Sequence, residues 1–382
     1  MKEEKKNSKQ IWAGVLISGV CLAAIFFFIE PAQIWESLKN ANYGYLLLTA
    51  LGIVLFLAFR AWRWRFMLEN EVLLVPAFHI QNIGYLVNNF LPLRLGDVTQ
   101  AVLIGSVPPI TIARGLSSVV ATRIFDMMFI VLLLPITLSQ VETVPDQVQS
   151  VALITGILMA ILIVMLIVAA NQRPFARKLS TIIFTKTSAT GQKIARWSGK
   201  KMEQAKRPFL YKFIFFISNG IGKMDVEAWV RRVDDFLVGL SSLTHLKSGS
   251  ILIISTVILW LPIIGAYYAG MFAVNLQPTW IMAAFVVCAA ALSVAAPSSP
   301  GQVGVYHAGV IFALSGILGQ PEAESASFAF LYHATNLIVM TLMGIIGLLA
   351  TGATFQHVIN TSRQYLTKKD DESDKQLSHP PV

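Results

Sequence analysis

From Ser248 to Ser362 the chain carries no lysine or arginine, and its only acidic residues there are Glu322 and Glu324. Such a stretch cannot cover a water-soluble domain, in which roughly a quarter of residues are charged. The rest of the 382-residue chain shares the bias: 55% is hydrophobic, 13% is charged, and the mean hydropathy is +0.63. A bilayer core about 30 Å thick needs roughly 20 apolar residues per helical crossing. Segments near 11–29, 44–59, 112–138, 150–170, 250–272 and 327–350 are long enough, or nearly so. The expected fold class is all-α, a polytopic membrane protein.

The formal net charge of +9 would point to nucleic acid if the cations formed a stripe on a polar domain. They sit instead in short flanks and one central segment, as in cytoplasmic loops of membrane proteins. Nucleic acid is therefore not an expected partner. Cys21 and Cys288 lie in apolar stretches, where buried thiols are expected and neither a disulfide nor a metal site is. Lys5, Lys6 and Lys9 precede the apolar run from Ile11 to Ile29. That run is long for a signal peptide and lacks a small-x-small cleavage pattern, so it reads as a retained anchor.

Lysine and arginine also set an expected orientation. The N-terminal flank, the Arg60-Ala-Trp-Arg63-Trp-Arg65 run and the region from Arg173 to Lys247 are basic. No lysine or arginine occurs from Ile124 to Gln172, where Glu142 and Asp146 make an acidic loop. Basic stretches are expected inside the cytoplasmic (inner) membrane, acidic loops outside, and both termini cytoplasmic. Two apolar stretches, about 76–108 and 279–318, are interrupted by Pro, Gly, Asn and Ser. With that orientation the first must enter and leave on the inside, and the second on the outside. Each is then a pair of short crossings or a re-entrant hairpin. Segment 44–59, hairpin, 112–138 and segment 250–272, hairpin, 327–350 would form an inverted repeat, as in many transporters.

The reading is one integral membrane domain over 1–355, followed by a cytoplasmic, disordered tail over 356–382. Its insert at 171–248 mixes Phe209, Phe213, Phe215, Phe216 and Trp229 with Lys206, Arg207, Lys212, Arg231 and Arg232. Helices lying on the inner leaflet and a solvated helical linker both fit that mixture.

The densest polar cluster in an apolar stretch runs from Asn88 and Asn89 through Pro92, Arg94, Gly96 and Asp97 to Gln100. Pro92 and Gly96 break a helix there, and freed N–H groups beside Arg94 suit an anionic headgroup. The plainer alternative is that Arg94 and Asp97 pair to close the break. Arg123 and Asp126, three apart, could likewise pair within one helix or serve binding. A third cluster, Pro297 to His307, holds Ser298, Ser299, Pro300, Gly301, Gly304 and Tyr306 and cannot be a continuous helix. Its serines and free amides could hold a phosphate or ester. His307 could titrate near neutral pH, but hydrogen-bonded packing is the favoured reading for it, and Tyr332 and His333 are similar.

No Walker A loop, HExxH or GxSxG motif is present. Ser299 and His307 would make a nucleophile and base, yet no third group supports them. The chain is expected not to be an enzyme and to need neither cofactor nor metal.

These clusters resemble the flippase-like transmembrane domain of lysylphosphatidylglycerol synthases and the stand-alone membrane proteins that share it. The matching residues are Asn89, Pro92, Arg94, Gly96 and Asp97, then Arg123 and Asp126, then Pro300, Gly301, Gly304 and Tyr306. They occur in order across about 11–355. The family usually has Glu at Asp97, Arg at Gln100, Glu at His307 and Arg at His333, so the lipid or the coupling is expected to differ here. The soluble aminoacyl-transferase domain is expected to be absent. What the resemblance implies is a translocase moving an anionic phospholipid or polyprenyl-linked lipid between leaflets. Asn89, Arg94, Asp97, Gln100, Arg123, Asp126, Ser298, Ser299, Gly301, Tyr306, His307 and His333 are its candidate site residues. A transporter of a small anionic solute, an accessory protein or an intramembrane enzyme of envelope-lipid synthesis remain alternatives. The expected partner is a membrane lipid, with a second copy or an envelope-biosynthesis protein left open.

Overall fold

The structure, a computed structural model, describes residues 16–91, 95–141, 144, 146–204, 209–240, 246–294, 300–362 and 364. Every element among them is helical. In chain order these are α1 (Leu16–Phe28), α2 (Pro31–Lys39), α3 (Tyr45–Met67), α4 (Leu74–Phe90), α5 (Leu95–Ile104), α6 (Ile112–Leu138) and α7 (Asp146–Asn171). They continue with α8 (Arg173–Gln204), α9 (Phe209–Gly222), α10 (Val226–Leu240), α11 (Leu246–Ala273), α12 (Trp280–Ser293), α13 (Val305–Ile311), α14 (Glu322–Thr351) and α15 (355–362).

The chain divides into two compact units: residues up to Ala160 with those from Leu252 onward, and Ile161–Ile251. In the first unit, α3, α6, Gly249–Ala273 of α11 and α14 are each long and apolar enough to cross a bilayer. The pair α1 and α2 bends by 83° where Pro31 starts the second helix. Proline suits a first helical turn because its missing N–H would have had no partner there. Thr111 caps α6 by accepting the Arg114 N–H at 3.3 Å, and Thr279 caps α12 by accepting the Met282 N–H at 3.1 Å.

The polarity of this unit is inverted relative to a soluble protein. Leu47 and Leu349 are 76% and 78% exposed, whereas Arg63, Asn82 and Thr99 are fully buried. Exposed leucines and isoleucines continue along α3, α11 and α14, among them Leu51, Leu55, Ile253, Ile254, Ile338 and Leu342. In water those faces would aggregate; against lipid tails they are solvated. This is a multi-pass membrane protein.

The core joins Ile53 and Leu57 of α3, Leu259 and Met271 of α11, Ala283 to Val287 of α12, Val310 of α13 and Phe328 of α14. Gly52 permits the approach of α3 to α11: an added Cβ would lie 2.7 Å from the Pro262 carbonyl oxygen. Both interrupted stretches are broken helix pairs, α4 with α5 and α12 with α13. At 10 and 14 residues, α5 and α12 span about 15 and 21 Å, and α13 (7 residues) with its 6-residue π-helical continuation to Ile317 spans about 20 Å at most. None of the three can cross a 30 Å core alone. The order long helix, broken pair, long helix therefore occurs twice, as α3–α6 and as α11–α14.

The second unit holds α8, α9 and α10. Gly222 meets α8 closely: its carbonyl accepts from Ser188 Oγ at 3.1 Å and from Gln192 Nε2 at 3.0 Å. A Cβ at Gly191 would lie 2.8 Å from the Gly222 nitrogen. Phe216, Phe175 and Trp197 stay exposed on this unit.

One boundary differs from expectation. Composition predicts a disordered tail from residue 356, but residues 355–362 form α15, in which Val358 and Ile359 are buried. Val358 packs against Ile83 and Val87 of α4, a contact that composition does not reveal.

Candidate functional site

The break between α4 and α5 is closed by Asn88. Its Oδ1 accepts the Gly96 N–H at 2.8 Å, and its Nδ2 donates to Asp97 Oδ1 at 3.1 Å. Gly96 is required there, since a Cβ would lie 1.9 Å from the Gly84 carbonyl oxygen. Gln100 is buried, and its side chain fills the space beside Gly84. Arg94 lies outside the described residues.

The spacing of Arg123 and Asp126 allows a pair within one helix, but the structure pairs each with another residue. Arg123 Nη2 reaches Asp97 Oδ1 at 2.7 Å, so α6 is tied to the hairpin. Asp126 is claimed from α3: Arg63 Nη2 donates to its Oδ1 at 2.6 Å, and Arg60 holds its Oδ2. Arg63 also donates from Nη1 to Thr256 Oγ1 at 3.0 Å, bringing in α11. The alternative pairing of Arg94 with Asp97 involves Arg94 and so lies outside the described residues; among those described, Asn88 and Arg123 hold Asp97.

Arg60 and Arg63 are the residues that sequence reasoning missed. Their basic run reads as a cytoplasmic flank, yet Arg63 is wholly buried and Arg60 is 7% exposed. The usable signal was their i,i+3 spacing, which puts both on one face of a helix that runs on to Met67.

The second hairpin turns at Gly301 (φ 69°), Gln302 (φ 60°) and Gly304 (φ 86°). Left-handed backbone at Gly301 and Gly304 costs glycine nothing. A Cβ at Gly304 would also lie 2.3 Å from the Ser18 carbonyl oxygen of α1. His307 Nδ1 accepts the Gly304 N–H at 3.1 Å, so it is a packed, hydrogen-bonded histidine, as favoured from the sequence. The Tyr306 and Tyr267 hydroxyls are 3.0 Å apart. The Tyr306 ring stacks on His333 at 4.7 Å, and His333 is hydrogen-bonded to the Gly301 backbone. Ser298 and Ser299 lie outside the described residues.

The two hairpins meet: a Cβ at Gly301 would lie 3.6 Å from the Asn89 carbonyl oxygen. Around this junction is a cavity of about 230 Å³. Arg60 and Phe56 line it from α3, Tyr85, Asn88 and Asn89 from α4, and Arg123 and Asp126 from α6. Trp260 lines it from α11, Gly301 and Gln302 from the second hairpin, and His333, Asn336 and Leu337 from α14. Of the candidate residues, Asn89, Arg123, Asp126, Gly301 and His333 thus share one cavity. Asp97 and Gln100 support the first hairpin, and Tyr306 and His307 the second, without lining it.

Trp260 is fixed in place by stacking on Phe129 at 5.2 Å and by an edge contact with Phe56. Among the described residues no group of three His, Cys, Asp or Glu is placed to hold a metal ion. The cavity is below the range of drug-sized pockets, so it can take a polar headgroup but not the acyl chains of a lipid.

No curated protein and no solved structure matches the chain. The family model described as the lysylphosphatidylglycerol synthase TM region matches residues 11–344, and the chain belongs to that family.

Proposed function

We propose that this protein translocates a membrane lipid, an anionic phospholipid or a polyprenyl-linked lipid, between the leaflets of the cytoplasmic membrane. The headgroup passes through the cavity between the two broken hairpins while the acyl chains stay in the bilayer. The observation that carries the reading is that one cavity inside apolar helices is lined from both hairpins and by arginine on two helices. Ionic groups at membrane depth are costly and mark substrate pathways. Membership in a family named for a lipid synthase's membrane region supports a lipid-related role.

In this reading the hairpins are inversely oriented repeats entered from opposite sides of the membrane, with both termini cytoplasmic. The protein acts without covalent catalysis.

A leaflet-exchange assay tests the proposal. Vesicles reconstituted with the protein and a trace of headgroup-labelled phosphatidylglycerol should expose inner-leaflet label to an external quencher faster than protein-free vesicles. Leu337→Trp, which fills the cavity, should abolish the gain, with Met340→Trp as a second plug should the first fail to fold. Exchange no faster than in empty vesicles sinks the proposal. Anion uptake without lipid movement would favour the small-solute alternative.

A further inference from the structure

The second unit carries its large apolar side chains on the wrong side for water. At about 3.6 residues per turn, α8 has three faces. One is turned inward, and its buried residues are small: Ala176, Ser180, Ser188, Gly191, Ala195 and Ser198. A second is exposed and polar, with Thr181, Thr185 and Arg196. The third is exposed and apolar: Phe175 is 66% exposed, and Leu179, Ile182, Ile183 and Ile194 are between 41% and 50% exposed. A helix solvated by water keeps its large apolar residues on the packed side. Close packing through small residues, with large apolar side chains turned outward, is how helices meet in lipid.

The apolar face continues onto α9. A groove of about 470 Å³ is lined by Ile194 from α8 and by Ile214, Ile217 and Ile221 from α9, and Lys186 is its one charged residue. Ile217 and Ile221 are themselves exposed.

Charge decides what covers this face. The α8 sequence holds eight lysines and arginines against one acid, Glu203, which makes a bilayer crossing too costly. Lys186, Lys193 and Lys200 recur every seven residues, so they share the apolar face, and all three are exposed. Lysine stems lie along apolar neighbours while their ammonium groups reach outward. A second copy docked here would set lysine against lysine, and α9 has no acid to relieve them. A bilayer surface with acidic headgroups matches both the apolar side chains and the lysines.

We infer that the α8–α9 face is a docking surface for acidic phospholipid. It lies in the headgroup layer, with its apolar side chains among the acyl chains and Lys186, Lys193 and Lys200 on the phosphates. Of the two arrangements that the sequence leaves open for this insert, helices on a leaflet are the one this face supports. The surface shares no lining residue with the cavity of the first unit, so it stands or falls independently of translocation.

Spin labelling of the full chain in vesicles tests this. Cys21→Ser removes one native thiol, and Cys288 is wholly buried. A nitroxide is attached at Leu179→Cys or Ile183→Cys on the apolar face, and at Thr185→Cys on the polar face as reference. Thermal unfolding confirms that each labelled chain is folded, and either apolar position suffices to decide. In vesicles of phosphatidylglycerol and phosphatidylcholine at one to two, both apolar positions should be open to oxygen, which dissolves among acyl chains. They should be shielded from a water-soluble nickel chelate, and the Thr185 position should show the reverse. In phosphatidylcholine alone, nickel accessibility at positions 179 and 183 should rise at least about fivefold, the contribution of one lysine near an acidic surface. The same rise should follow in the mixed vesicles when K186Q, K193Q and K200Q are combined.

Nickel accessibility at positions 179 and 183 equal to that at 185 would overturn the inference in favour of a solvated linker. Shielding from oxygen and nickel alike would overturn it in favour of a protein partner or a second copy. Burial in lipid to the same extent with and without phosphatidylglycerol would also overturn it, since the face would then not recognise acidic headgroups.

Discussion

Arg63 on α3 is wholly enclosed with its Nη2 2.6 Å from Oδ1 of Asp126 on α6, while Arg60, one turn earlier, takes the other carboxylate oxygen. One carboxylate thus bridges two helix-borne cations, and α3 is pinned to α6. Removing one partner of a buried pair leaves the other uncompensated, which costs more than the pair contributes.

Asp126→Asn should accordingly destabilise the protein by about 3–5 kcal/mol. Denaturant unfolding in detergent micelles, followed by tryptophan fluorescence, measures this directly. A change within about 1 kcal/mol, the typical effect of losing a surface pair, would mean that water or lipid headgroups reach the two arginines.

The partner of Arg123 can be identified by coupling energies. Its contact with Asp97 is half-buried and direct, at 2.7 Å. A double-mutant cycle on Arg123 and Asp97 should give a coupling of about 1 kcal/mol. The cycle on Arg123 and Asp126 should stay below about 0.5 kcal/mol, because the Asp126 oxygens are taken by α3. The opposite ranking would restore the pairing within α6.

Two glycine substitutions should diverge although both residues lie in apolar helices. Gly96→Ala drives a methyl into the Gly84 carbonyl, which as backbone cannot swing aside. It should cost about 1–3 kcal/mol and open the α4–α5 hairpin. Gly265→Ala meets nothing nearer than the Trp280 ring at 3.8 Å and should be neutral or gain up to about 1 kcal/mol. Limited proteolysis and thermal unfolding of the two variants give the comparison, and equal behaviour would deny the tight hairpin.

These pairings mark where sequence reading reached its limit. Apolar length located α3, α6, α11 and α14, and helix-breaking residues located both hairpins, because each signal is local. The cavity was half legible: Asn89, Arg123, Asp126, Gly301 and His333 stood out as polar or helix-breaking in apolar surroundings. Arg60 and Arg63 did not, since a basic run after an apolar segment is the ordinary mark of a cytoplasmic flank. Their partners Asp126 and Thr256, far along the chain, turn them inward. Trp260 was silent for another reason: an aromatic in an apolar helix reads as core until its N–H is found without an acceptor.

The helix α15 shows the same limit and can be tested by shortening the chain. Its polar sequence reads as the start of a tail, yet Val358 is 1% exposed against Ile83 and Val87, and Ser362 Oγ lies 2.9 Å from Thr99 Oγ1 of α5. Both contacts fall on the first hairpin, so α15 acts as its brace. Val358→Ala should cost about 2 kcal/mol through the cavity it leaves. Ending the chain after Thr354 should cost at least as much. It should also speed amide hydrogen exchange along α5 more than along α12, which belongs to the other hairpin. Local opening reports the contacts that hold a segment, so a selective rise at α5 follows from losing its brace. Equal exchange along both helices would detach α15 from the hairpin and return residues 356–362 to the status of a tail.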